Sequence, residues 1–166
     1  MIKYIILLII GLITLTIGYS FWRHYGTYVN DYHAYIGIRD LARFDLVIET
    51  FGEPLSIDSI TDARADVVFD GITFIFNHGQ GGLSYLETHG MVVGIMITDP
   101  DIRFGRMRIG VGSTRFNIRF AYWLLYRTWF WQNDERLEVV DGDTWLKFDF
   151  DENNRVRIIT FGLHGP

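Results

Sequence analysis

IGIRDLARFDLVIETFGEP, residues 36–54, opens a pattern that returns in weaker form 73 positions later as IGVGSTRFNIRFAYWLL from Ile109. In the first copy Asp40 is placed to cap a helix, and Leu41, Phe44, Val47, Ile48 and Phe51 recur at helical spacing. Gly52 and Pro54 then end the helix. Each copy is followed by Asp-Gly between apolar runs, VVFDGITFIF from Val67 and VVDGDTWLKF from Val139. That dipeptide between alternating apolar residues is the strongest short hairpin signal. The echo therefore runs from a helix into the strands behind it, which predicts two versions of one unit, 36–98 and 109–163.

Residues 56–65 read as a polar linker, 67–69 and 72–76 as a hairpin about Asp70-Gly71, and 83–87 with 91–98 as a second hairpin about His89-Gly90. Residues 99–108 join the copies. The second helix is capped by Ser113, and its stripe of Phe116, Phe120, Trp123 and Leu124 is expected to face the core. A second stripe, Ile118, Tyr122, Leu125, Tyr126 and Trp129, falls on nearly the opposite side at ~100° per residue, with Arg115 and Arg119 beside it. One sheet cannot cover both stripes. Residues 137–140, 143–150 and 155–163 follow as a three-stranded meander. The expected fold is α+β: tandem helix-plus-antiparallel-meander repeats forming one sheet with helices on one face, preceded by a single transmembrane helix.

A helix ending in FGEP and followed by paired strands, repeated in tandem, resembles the β-lactamase-inhibitory-protein-like fold, and each unit resembles the small outer-membrane lipoproteins of the SmpA/OmlA group. The resemblance rests on residues 36–38, 51–54 and 109–111 and on the two Asp-Gly hairpins. It implies a binding function, either inhibition of an enzyme or bracing of an envelope assembly. The chain departs from both groups in having no cysteine, and hence no lipidated N-terminal Cys and no disulfide.

Residues 4–22 carry no charge. At ~1.5 Å per residue they span roughly 28 Å as a helix, close to the hydrocarbon thickness of a bilayer. Lys3 before them also fits a cleaved secretory signal, but the apolar run exceeds the usual signal core of about 7–15 residues. Segments 1–23, 24–35 and 36–166 are accordingly read as anchor, tether and single domain. The expected address is a bacterial inner membrane, crossed once, with the domain facing the periplasm or exterior. Twenty acidic against 15 basic residues argue against binding nucleic acid through its phosphates.

No catalytic signature is present. His78, Glu87 and His89 lie in one insert but lack metal-ligand spacing, Gly79, Gly81 and Gly82 lack the strand-to-helix context of a phosphate cradle, and 149–160 lacks the glycine and glutamate of a calcium loop. Neither a cofactor nor a metal is expected. The surplus aromatic stripe carries the functional expectation, because Trp, Tyr and Arg dominate binding hot spots. Arg115, Arg119, Tyr122, Tyr126, Trp129 and Trp131 are expected to form a surface for a protein partner: a toxin, an enzyme or an envelope component. The expected role is immunity or inhibition, with structural support of an envelope assembly as the alternative.

Overall fold

A computed structural model describes residues 2–25, 42–61, 63–80, 82–104, 107–122, 129–132, 135–141 and 144–163. An apolar helix α1 (Ile2–Tyr25) comes first. It is followed by α2 (Phe44–Phe51), β1 (Ser56–Thr61), β2 (Arg64–Phe69), β3 (Ile72–Asn77), a 3-10 turn (Leu83–Tyr85), α3 (Leu86–His89), β4 (Met91–Ile97) and a small hairpin of β5 (Arg103–Phe104) and β6 (Ile109–Gly110). Then come α4 (Arg115–Tyr122), β7 (Trp129–Gln132), β8 (Arg136–Asp141), β9 (Thr144–Phe150) and β10 (Val156–Leu163). The fold is α+β: among the described residues, four α-helices and one antiparallel sheet of eight strands in the order β1-β2-β3-β4-β10-β9-β8-β7, beside the separate two-stranded hairpin.

Strand alternation sorts side chains onto two faces. Cross-strand partners place Val67, Phe74, Ile95, Phe161, Leu146 and Val139 in one continuous row across six strands. A second row joins Phe69, Ile72, Ile97, Ile159, Phe148 and Leu137. All twelve are buried and form the core. Among the described residues, ring contacts between the sheet and the layer above it are made on this inner face. Phe51 of α2 meets Phe69 and Phe74, Phe44 meets Phe76, Phe104 of the hairpin meets Phe161, and Tyr122 of α4 meets Phe148. α2, α4 and the hairpin therefore share one side of the sheet.

Similar ties fix both helix starts. The Phe44 N–H donates to Gly90 O (3.2 Å) and the Val92 N–H to Ala42 O (2.9 Å), so the entry to α2 is held against β4. Likewise the Gly112 N–H donates to Val156 O (2.7 Å) and the Val156 N–H to Ser113 O (2.9 Å), so the entry to α4 is held against β10. β4 and β10 are themselves paired at the middle of the sheet, Ile95 opposite Phe161.

Several expectations are corrected. Residues 56–61 form a strand, not a linker: as an edge strand β1 pairs on one side only, so one inward Ile57 opposite Val67 is enough apolar character to fix its register. Residues 83–89 are helical turns, not a strand, because they have a single buried residue, Leu86, and no alternation; the Gly90 N–H closes the last turn on Leu86 O (2.9 Å). The first helix begins at Phe44 with Arg43 at its cap, and Asp40 lies outside the described residues.

The largest correction concerns α4. Phe116 and Phe120 are 72% and 42% exposed, while Ile118, Ala121 and Tyr122 are buried, so the stripe expected outside faces the sheet and the stripe expected inside faces out. The cause is the entry. Thr114 bridges to Arg155 and the Arg115 guanidinium lies over the Phe150 ring at 4.2 Å, which sets the rotation of the helix from its first turn. Trp123, Leu124, Leu125 and Tyr126 lie outside the described residues.

In α1 every residue from 3 to 19 is exposed, and these are the residues whose side chains are described. Among described residues no helix is long and apolar enough to cross a membrane. The expected transmembrane span at 4–22 is therefore not shown.

Candidate interaction surface

With α2, α4 and the β5–β6 hairpin on the inner face, no described helix is seen against the outer face of the sheet. Register again gives two rows. One runs Val68, Thr73, Met96, Thr160, Lys147, Glu138, and the other Asp66, Ile75, Gly94, Gly162, Trp145, Val140. At the central seam Gly94 and Gly162 are partners, and a Cβ added to Gly162 would fall on the indole of Trp145. From the other side Ile75 Cδ1 lies 3.3 Å from a Cβ built on Gly94. The two glycines thus let large side chains from each half lie flat over the seam, which gives the face a half-buried apolar centre of Ile75, Met96 and Trp145.

Charge flanks this centre unevenly. On the β8–β9 side the Arg136 Nε–H donates to Asp149 Oδ1 (2.9 Å), Lys147 Nζ stands 3.5 Å from Asp149 Oδ2, and Arg136 reaches Glu138 at 4.0 Å. On the β1–β2 side Asp58 and Asp66 are direct cross-strand partners, and like charges so placed repel. Ser56 Oγ donates to Asp58 (2.9 Å), whereas Asp66 Oδ1 is buried and has no hydrogen-bond partner among the described residues. Burial first, and the Asp58 carboxylate second, raise the Asp66 carboxyl above its ordinary pKa.

The sign of the consequence follows by linkage. Because the folded value lies above the unfolded one, the native state holds a proton that the unfolded chain releases, and stability falls as pH rises from the ordinary carboxyl value through the raised one. Asp66→Asn is expected to stabilise the domain at neutral pH and to lose that advantage in acid, below the unfolded carboxyl's pKa. Urea denaturation at the two pH values checks this, and equal effects at both would remove the electrostatic cause.

The residues singled out from sequence are scattered. Tyr122 is fully buried against Phe148, so it is a core residue and not part of a partner surface. Arg115 is half-buried over Phe150, and Arg119 is exposed. Trp129 and Trp131 belong to β7, where only the backbone is described, and Tyr126 lies outside the described residues. His78 is buried at the end of β3 with Nδ1 3.1 Å from Gly79 O, while Glu87 and His89 are exposed on α3, and His89 Nδ1 stands 2.7 Å from the Thr88 hydroxyl. Among the described residues no three potential ligands gather for a metal ion. In the turn at 151–155, Asp151 Oδ1 accepts the N–H groups of Asn153 and Arg155, each at 2.9 Å. The outer-face residues belong to no helix stripe, yet the alternation in TWLKFDF separates Trp145, Lys147 and Asp149 from Leu146, Phe148 and Phe150.

No protein-family model matches the chain, and no characterised protein matches it by sequence. Three solved structures are similar in fold. An extracellular protein containing a SCP domain from Bacillus anthracis is 10% identical over 74% of this chain and 43% of its own, with a TM-score of 0.53. A cysteine-rich secretory protein from Staphylococcus aureus is 11% identical over 75% and 44%, TM-score 0.47, and a DUF4309 family protein from Bacillus subtilis is 12% identical over 74% and 78%, TM-score 0.44. The chain spans less than half the length of the first two. The likeness to the first of these replaces the resemblance to the β-lactamase-inhibitory-protein-like fold and the SmpA/OmlA lipoproteins. The short motifs behind that resemblance, a helix stop and Asp-Gly hairpins, are local signals that many α+β sheets share.

Proposed function

We propose that the chain is a membrane-anchored binding module that lies outside the cytoplasm and uses the open face of its sheet to hold and neutralise a protein partner, without chemistry of its own. The observation that carries the proposal is the uneven layering. α2, α4 and the small hairpin engage the inner face, and the outer face keeps an apolar centre flanked by paired charges, the composition of a binding hot spot with a polar rim. In support of the anchor, residues 4–22 carry no charge, and the described side chains of α1, residues 3–19, are all exposed and overwhelmingly apolar. Its Thr14 and Thr16 hydroxyls donate to Ile10 O (2.8 Å) and Leu12 O (2.7 Å), which satisfies them without water. The extracellular description of a like-folded protein agrees with an address beyond the membrane.

The test is isolation of the full chain with its partner from detergent-solubilised native membranes. Met96→Asp or Lys147→Glu on the outer face is expected to weaken the complex by about tenfold or more, ~1.4 kcal/mol, while Leu46→Asp on the exposed side of α2 leaves it intact. Equal loss from both sides, or a chain that purifies alone, would refute the proposal.

A further inference from the structure

Charge is segregated along this chain. Residues 102–133 contain six arginines and no acidic residue, while the remaining 134 residues hold nine basic side chains and all 20 acids. An acidic protein therefore carries one wholly basic stretch, and α4 lies inside it. On the outward side of α4 the Phe116 and Phe120 rings stack with centroids 6.1 Å apart and planes 14° from parallel, on a helix that also carries the exposed Arg119. Two aromatic rings held together in water, beside a cation, form an exposed apolar patch that calls for an occupant.

We propose that this outward face of α4 docks on the surface of an anionic lipid bilayer, the same membrane that α1 enters; the proposal rests on the anchoring reading of α1. Aromatic rings and arginines are the side chains favoured at the headgroup boundary, the rings among the acyl ends and the guanidinium groups at lipid phosphates. The 16 residues between Tyr25 and Ala42 cannot span more than about 60 Å, so the domain is confined near the bilayer and even a weak contact is favoured by its high effective concentration. Charge also fixes which end of the helix layer approaches. α2 exposes Asp45 and Glu49, which an anionic surface repels, whereas α4 has no acid. Docked by α4, the domain turns its outer sheet face away from the lipid, because α4 and that face lie on opposite sides of the sheet.

Because the chain has no cysteine, one can be introduced as a unique label site. The full-length protein bearing Asn117→Cys, an exposed position on α4 next to Phe116, is labelled with an environment-sensitive fluorophore and reconstituted into vesicles of phosphatidylglycerol and phosphatidylcholine that contain spin-labelled lipid. A Ser59→Cys label on the distant edge strand β1 serves as reference. Quenching at 117 is expected to exceed that at 59 several-fold, and to drop to the reference level in pure phosphatidylcholine or when Phe116→Ser and Phe120→Ser are added. Both serines leave the melting temperature unchanged if the rings are indeed outside the core. Equal quenching at 117 and 59 in anionic vesicles overturns docking. So does shielding of the 117 label that needs an added protein in place of anionic lipid, since that marks a protein interface. Alkaline carbonate extraction of the same vesicles separates the two readings: a chain that stays with the lipid keeps α1 as an anchor whatever the label shows, and a chain that is released removes the anchor and this proposal with it.

Discussion

Tyr122→Ala is expected to lower the free energy of unfolding by about 3–5 kcal/mol, whereas Phe116→Ala is expected to change it by less than about 0.5 kcal/mol. The two residues sit on one eight-residue helix and both are aromatic, so composition and propensity cannot separate them. Burial does: Tyr122 is fully enclosed, its ring tilted 49° against Phe148 with centroids 6.0 Å apart, while Phe116 leaves most of its ring in water. A loss of the first size is a large part of the stability of an ordinary domain. Urea denaturation of the two variants checks the pair, and comparable losses would mean that α4 is rotated from the orientation described.

Gly162→Ala is expected to cost about 1–3 kcal/mol, the range for forcing one extra carbon into a packed site. The new Cβ would occupy the space of the Trp145 indole, a ring pinned between the seam and Val140 on the next strand. Its neighbour offers no relief, since a Cβ on Gly94 would lie 2.9 Å from Phe161 O, a backbone atom that cannot swing away. Combining Gly162→Ala with Trp145→Gly should recover most of the loss attributable to the clash, so the two substitutions should be strongly non-additive. Additive effects in chemical denaturation would show that the ring does not lie over the seam.

Much of the architecture was legible because sheets and hairpins write themselves with period two. The Asp70-Gly71 hairpin, the meander of β8 to β10 and the turn at 151–155 all stand where alternation and turn residues place them. What misled was the second helix. Its two aromatic stripes are equally helical in spacing, and which one turns inward depends on the Thr114–Arg155 bridge and the stacking of Arg115 on Phe150, contacts made across more than 30 residues of sequence. The local clue was Ala121, a small residue that is buried beside Ile118 and Tyr122 on the same helix. β1 was hidden for the opposite reason, since an edge strand with one paired side needs little apolar pattern. The outer-face surface was legible in parts but not as a whole, because the partnership of Gly94 with Gly162 depends on β4 and β10 meeting at the seam.

The most direct measurement is site-specific photo-crosslinking of the full chain in its native membrane, with a photoreactive amino acid placed in turn at Met96 and Val140 on the outer face of the sheet and at Leu46 on the exposed side of α2. The open-face assignment predicts one discrete protein adduct of the same mass from Met96 and Val140 and none from Leu46. The same adduct from Leu46, or none from either outer position in a folded protein, would contradict it.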